Sequence, residues 1–303
     1  MQYIFTVSDE QNQDRIDKCI ASYYDDLSRS YVQRLIDDGA VLYNDAPCKA
    51  NTRVSAGKPV MITVPEAIIP AIEPENIPLD ILYEDNDVIV INKPKGMVVH
   101  PANGHYSGTL VNALMFHCRD LSGINGCLRP GIVHRIDKNT TGSVIACKND
   151  FAHQKIAEQL KEHSINRHYY ALVHGVMEEE NGTVHAPIGR SSRDRKKMAI
   201  DHKNGKDAIT HYTIIKRYQG YTLLDLKLET GRTHQIRVHM ASIHHPVVGD
   251  DVYCSIKCPF KLQGQTLHAY LLGFQHPRTN EYIETKAELP QYFSELLASL
   301  KPF

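Results

Sequence analysis

Prolines at positions 65, 70, 74 and 78 crowd one short stretch, and a segment so built cannot be helical. It reads as a semi-rigid linker that divides the chain into a small leading part, residues 1–75, and a larger one, residues 76–303. A length of 303 residues is long for one compact domain and comfortable for two of unequal size. Each part must therefore close its own core, and their apolar patterns can be read separately.

In the leading part, Ile16 and Ile20 recur at helical spacing over Arg15 to Tyr24. Ser28 or Ser30 can cap a second helix whose apolar face is Val32, Leu35 and Ile36 and whose end is marked by Gly39. Val41 to Tyr43 and Val60 to Val64 read as short strands. The result is a small α+β module.

In the larger part, strands are expected at Asp87 to Ile91, Ser143 to Cys147, Tyr169 to Val173, Ile209 to Ile215 and Leu224 to Leu228. Helical faces appear at Leu110, Val111, Leu114 and Met115, and at Ala152, Ile156 and Leu160 behind a cap at Asp150. Two more are Ile236, Met240 and Ile243, and Leu296, Leu297 and Leu300 after Pro290. Helices interleave irregularly with strands, so the expected class is α+β: a mixed, largely antiparallel sheet flanked by helices and loops.

Composition narrows the function only a little. The formal net charge is −1, which gives no global attraction to a polyanion, so any binding to RNA must rest on local patches. The apolar runs are too short to cross a bilayer, and the N-terminus lacks the features of a signal peptide; a cytoplasmic protein is expected, by default a monomer. The seven cysteines show no framework spacing and favour reduced thiols. His234 and His239 are five apart, which is not the spacing of a helical metal pair, so no metal is expected. There is no dinucleotide fingerprint and no P-loop, so no cofactor is expected either.

The sharpest local signal is PGIVHRIDKNTTG, residues 130–142. Turn residues at both ends leave His134, Arg135 and Asp137 on a loop held between ordered elements, where reactive groups tend to be displayed. A second cluster, residues 229–250, turns from an alternating strand into a helix. Arg232 stands at that corner, where a guanidinium can pair a carboxylate in a bidentate fork. The densest basic run is Arg190, Arg193, Arg195, Lys196 and Lys197, a candidate grip on RNA backbone.

Together these segments resemble the RluA/RluD class of RNA pseudouridine synthases. HRIDKNTTG resembles that family's aspartate signature, NKPKGMVVHP (92–101) its first motif, RHYYALVHG (167–175) its tyrosine motif, and TGRTHQIRVHMASIHHPVVGD (230–250) its arginine-bearing motif. They stand in family order and cover essentially residues 76–303. Residues 15–44 resemble the alpha-L RNA-binding module that precedes the catalytic domain in the ribosomal branch. Ile136, Thr141 and His168 depart mildly from the family pattern.

The resemblance implies a cofactor-free isomerase that converts uridine to pseudouridine. Large-subunit ribosomal RNA is the favoured substrate; transfer RNA, or a non-catalytic role in ribosome assembly, are the alternatives. Asp137 would be the nucleophile, Arg232 its counter-ion, and Tyr169 the ring lying against the uracil. Tyr170, alternating to the opposite face, would be a packing residue. The target must leave its stack, with Arg135 filling the space and His134 supporting the loop. Lys93 and Lys95 would line the rim, and Arg29 and Arg34 would meet phosphates at the start of the second helix.

Overall fold

The computed structural model describes residues 2–24, 27–64, 72–101, 105–118, 121–124, 129–192, 194 and 197–303. It divides into two compact units, Met1–Pro70 and Ala71–Phe303. Residues 65–71 of the expected linker lie outside the described residues. Residues 72–75 already belong with the larger unit: Ile72 packs in its core, and the carboxylate of Glu75 accepts the Gly108 N–H at 2.9 Å.

The leading unit runs β1 (Gln2–Thr6), α1 (Ile16–Tyr23), α2 (Arg29–Asp37), β2 (Val41–Tyr43), β3 (Ala46–Pro47) and β4 (Pro59–Thr63). Its antiparallel sheet has the order β1-β4-β2-β3. Ile16 and Ile20 of α1 meet Val32, Leu35 and Ile36 of α2 and Val60 and Ile62 of β4 in one core. Of the two candidate caps it is Ser28 that accepts the Tyr31 N–H, at 3.3 Å.

The larger unit contains β5 (Ile81–Glu84), β6 (Val88–Lys93), α3 (Leu110–His117), β7 (Thr141–Cys147), α4 (Asp150–Lys161), β8 (Asn166–His174), β9 (Asn181–His185), β10 (Ile188–Arg190) and β11 (Met198–Ile200). After these come β12 (Ile209–Tyr218), β13 (Tyr221–Leu228), α5 (Gln235–Ser242), β14 (Leu267–Gln275), β15 (Tyr282–Lys286) and α6 (Gln291–Ser299). One sheet takes the order β5-β6-β7-β14-β8-β13-β12-β9, with β15 beside β14; β10 and β11 pair as a separate ribbon. Every pairing is antiparallel except β14 with β7. The fold is thus α+β with a mixed sheet. The cap of α4 is Asn149, whose side chain accepts the Ala152 N–H, and Asp150 is the first helical residue.

The parallel contact between β7 and β14 sets the position of the loop that precedes β7. Gly142 has φ +108°, and a Cβ there would lie 2.2 Å from the carbonyl oxygen of Ala269. Only glycine lets the two backbones meet this closely. Thr141 Oγ1 and His268 Nδ1, 2.8 Å apart and buried, pin the same crossing. The 130–140 loop therefore delivers Asp137 from a fixed base.

Candidate active site

Asp137 lies in a cleft of about 500 Å³ between the loop before β7, the first half of β8, the end of β13 and the start of α5. Its Oδ2 accepts from Nη1 of Arg237 at 3.0 Å. That guanidinium also donates Nε and Nη2 to Oδ2 and Oδ1 of Asp250, at 2.6 and 2.9 Å. Arg237 is 4% exposed and Asp250 3%. Burial alone would push the Asp250 carboxyl up, but the Arg237 fork and the N–H groups of Val252 and Tyr253 hold it below the usual carboxylate range. Burial likewise opposes charge on Arg237, and the two carboxylates overcome it, raising its pKa. One guanidinium is thus anchored by one carboxylate and presented to another.

This differs from the expected pairing of Asp137 with Arg232. Arg232 precedes α5, where its backbone N–H is taken by Oε1 of Gln235 at 2.9 Å and its Nε donates to the carbonyl oxygen of Asp207 at 2.9 Å. It lines the cleft, but its fork is turned toward the segment before β12. Arg237, inside the helix, faces the aspartate loop.

The second oxygen of Asp137, Oδ1, stands 3.8 Å from Nε2 of His234. His234 caps α5 in the left-handed conformation, φ +58°, and its Nδ1 lies 2.7 Å from the hydroxyl of Tyr253. A non-glycine residue held in that conformation beside a reactive group marks a constrained site. Burial lowers the His234 pKa, partly offset by the charge of Asp137.

Tyr169 is 6% exposed on β8 and lines the cleft with Asp137. Burial, opposed by the charge of Arg167 and aided by that of Asp137, raises its hydroxyl pKa, so the ring is neutral. Tyr170 points the other way and stacks on Tyr270, centroids 3.8 Å apart and planes 4° from parallel.

Arg135 is exposed at the cleft, its Nη1 3.4 Å from Nε2 of His100. His134 is not a free ligand for RNA. Its Nε2 accepts the Ile145 N–H at 3.1 Å, and burial, reinforced by the charge of Arg167, pushes its pKa down to about 3. It ties the loop to β7.

Lys93 does not line the rim. It is fully buried, and its Nζ donates to the carbonyl oxygens of Pro94, Met97 and Lys138 at 2.8, 2.9 and 3.1 Å. Burial pulls its pKa down to about 7, against the pull of Asp137. It fastens the first motif to the residue following Asp137. Lys95 is turned onto the ring of Tyr292, 3.8 Å from its centroid. Of the basic run, Arg193, Arg195 and Lys196 lie outside the described residues, and Lys197 donates to the Val252 carbonyl at 3.0 Å.

In the leading unit, Arg29 donates Nε to Asp17 Oδ2 at 3.0 Å, and Arg34 lies over the Tyr31 ring at 4.9 Å. Asp17 is fully buried and also accepts from Arg15 and Gln33. Burial raises its pKa but these donors outweigh it, bringing it down to about 2. Arg15 and Arg29 are thereby held side by side, each partly open to solvent.

Four of the cleft's cations escaped the sequence reading: Arg129, Lys161, Arg167 and Arg237. Arg167 could have been found by strand alternation from Tyr169. Among the described residues lining the cleft, Arg129, Arg135, Lys161, Arg167, Arg232 and Arg237 are cationic, and Asp137 is the sole carboxylate. Two-carboxylate hydrolysis has no second acid here. A lone carboxylate beside a neutral ring, in a cationic cleft, suits attack on an anionic polymer.

Residues 87–242 match the RNA pseudouridylate synthase family. The chain is 50% identical over 300 residues to an uncharacterized RNA pseudouridine synthase, YlyB, of Bacillus subtilis, covering 99% of this chain and 98% of the relative. It is 43% identical over 297 residues to the ribosomal large subunit pseudouridine synthase D of Zymomonas mobilis, covering 94% and 93%. Among solved structures, human RNA pseudouridylate synthase domain containing 1 superposes with a TM-score of 0.61 at 25% identity, over 76% of this chain and 90% of that one.

Proposed function

The chain belongs to the RNA pseudouridylate synthase family and is an RNA pseudouridine synthase, and we propose that it isomerises uridines of large-subunit ribosomal RNA with Asp137 as nucleophile. The observation that carries the assignment of Asp137 is its isolation as the cleft's one described carboxylate, paired through Oδ2 with Arg237. That pairing leaves Oδ1 as the attacking oxygen. The ribosomal substrate is supported by the names of relatives such as the Zymomonas protein.

In this reading the target uridine leaves its stack and enters the cleft, and Arg135 occupies the space it vacates. Tyr169 lies against the uracil face. The N1–C1′ bond breaks, the base turns within the cleft, and C5 bonds to C1′. Arg237 holds the Asp137 carboxylate through Oδ2, and Asp250 keeps Arg237 in place. The reaction exchanges one bond for another within the substrate, so it calls for no redox partner.

Residues 1–75 would act as an alpha-L-type RNA-binding module ahead of a catalytic domain at 76–303, with Arg29 and Arg34 at the phosphates. The division into two compact units and the pair of arginines fixed by Asp17 support this. No described helix is long and apolar enough to cross a membrane. The enzyme would work in the cytoplasm, as a monomer.

The test maps pseudouridine in ribosomal and transfer RNA from cells lacking the gene, with the parent or Asp137→Asn restored. The parent should restore sites in large-subunit RNA and the variant none. Equal restoration by both removes Asp137 from the chemistry, and sites confined to transfer RNA overturn the substrate.

A further inference from the structure

Arg167 precedes Tyr169 by two residues on β8, so both side chains leave the same face of the sheet and both line the cleft. The residue is 6% exposed. Its Nη2 donates to the carbonyl oxygen of Glu229 at 2.9 Å, while its Nε is buried without a hydrogen-bond partner. No carboxylate among the described residues pairs with it; burial opposes its charge, the Tyr169 hydroxyl favours it, and another cation, Arg232, opposes it.

This is costly. A charged group taken out of water without an anionic partner loses several kcal/mol, and an unmade buried hydrogen bond adds to that. Arg237, by contrast, has two carboxylates. The backbone also accommodates Arg167 at one point: a Cβ on Gly231 would lie 2.5 Å from its Nη1. A buried, uncompensated cation with an idle donor, in a cleft, is arranged for negative charge that arrives with the substrate.

The depth and neighbour of Arg167 decide which part of the substrate that is. RNA phosphates stay at the solvent edge, whereas Arg167 sits beside the ring assigned to stack on the base. We propose that Arg167 is a catalytic residue that donates to a carbonyl oxygen of the target uracil and stabilises the negative charge the ring gathers as N1–C1′ breaks. The electron pair of that bond passes to the ring and spreads over O2, N1 and O4. It returns when C5 bonds to C1′, after which C5 loses its proton and N1 takes one up. This deepens the isomerase reading and rests on it.

The experiment uses a ribosomal RNA fragment around the uridine found by the mapping above, carrying uridine or 5-fluorouridine at that position. The fluorinated base is the more acidic and leaves with less help. Arg167→Met, which fills the space without charge, should lower the single-turnover rate on uridine roughly 10²–10³-fold with little change in RNA Kd. Its defect should shrink about tenfold or more on 5-fluorouridine, read as loss of that nucleoside from digests. Arg167→Lys, which keeps a charge, should recover part of the rate and stands in if the methionine variant does not fold. Equal losses on both bases, or a loss confined to RNA binding, overturn the proposal and leave the isomerase reading standing. A parent enzyme that modifies no uridine defeats both.

Discussion

Replacing Arg237 by methionine should be far more damaging than replacing Arg232. The Arg237 side chain is 5% exposed and joins two carboxylates, Asp137 at 3.0 Å and Asp250 at 2.6 Å. Its removal leaves Asp250, whose side chain is 0% exposed, without its counter-ion. Breaking a buried pair from one side costs about 3–5 kcal/mol. For a unit of this size that corresponds to a fall in Tm of roughly 6–20 °C. Arg232 gives up one bond to a backbone carbonyl, worth about 1 kcal/mol. Thermal melts of both variants read the stability difference. Single-turnover pseudouridine formation reads the second consequence, a loss of at least about 10²-fold for Arg237→Met from a misplaced nucleophile and under tenfold for Arg232→Met. Arg237→Lys keeps the charge but cannot form the fork, and should fall between. If Arg232→Met proves the more damaging, or the two are equal, the counter-ion has been wrongly placed.

Lys93→Met takes a donor from the carbonyl oxygens of Pro94, Met97 and Lys138, the last of which keeps the Gly96 N–H, and should cost about 1–3 kcal/mol in a urea melt while lowering the rate. Gly142→Ala meets the Ala269 carbonyl from a φ of +108° and should yield insoluble or strongly destabilised protein on expression. His100, pushed down to about 4 by burial and by Arg135 and Arg129, and His134, at about 3, are held neutral while the unfolded chain takes up protons near pH 6.5. Their contribution is present above that pH and is lost as pH falls toward 4 and 3, so urea midpoints should drop across this window, and less steeply in His100→Asn. RNA affinity should fall with salt at a log–log slope of about −3 or steeper, from the less buried cations of the cleft; a flat response excludes the cationic cleft as the binding surface.

The parts legible in the sequence were those governed by short-range periodicity. The α1 and α2 faces and the alternation around Tyr169 follow from i+4 or i+2 spacing, and β6 and β7 from short continuous apolar runs. β14 escaped because its central place depends on pairing with β7 and β8 from far along the chain. The arginine assignment turned on the same limit. Arg232 and Arg237 differ by one and a half helical turns, and which faces residue 137 depends on where the corner before α5 directs each side chain. Lys93 looked like a rim residue because lysine is seldom buried, yet three carbonyl oxygens from neighbouring turns receive its ammonium.

The near-neutral composition, awkward for an enzyme of RNA, is reconciled by placement rather than by surplus. A chain with 34 basic and 35 acidic residues can still face its substrate with one sign of charge if the acids are kept out of the cleft, and here six of the described cleft residues are arginine or lysine against one aspartate. Two roles divide those cations. Arg237 is neutralised within the protein, so it positions Asp137 and contributes little to attracting RNA. Arg167 has no carboxylate partner among the described residues, and in the role proposed for it the counter-charge comes with the substrate. The same low-dielectric floor that makes its burial costly strengthens its interaction with charge developing on the base. A cation whose counter-charge comes with the substrate is better paired in the transition state than before it, which is the direction in which binding energy speeds a reaction.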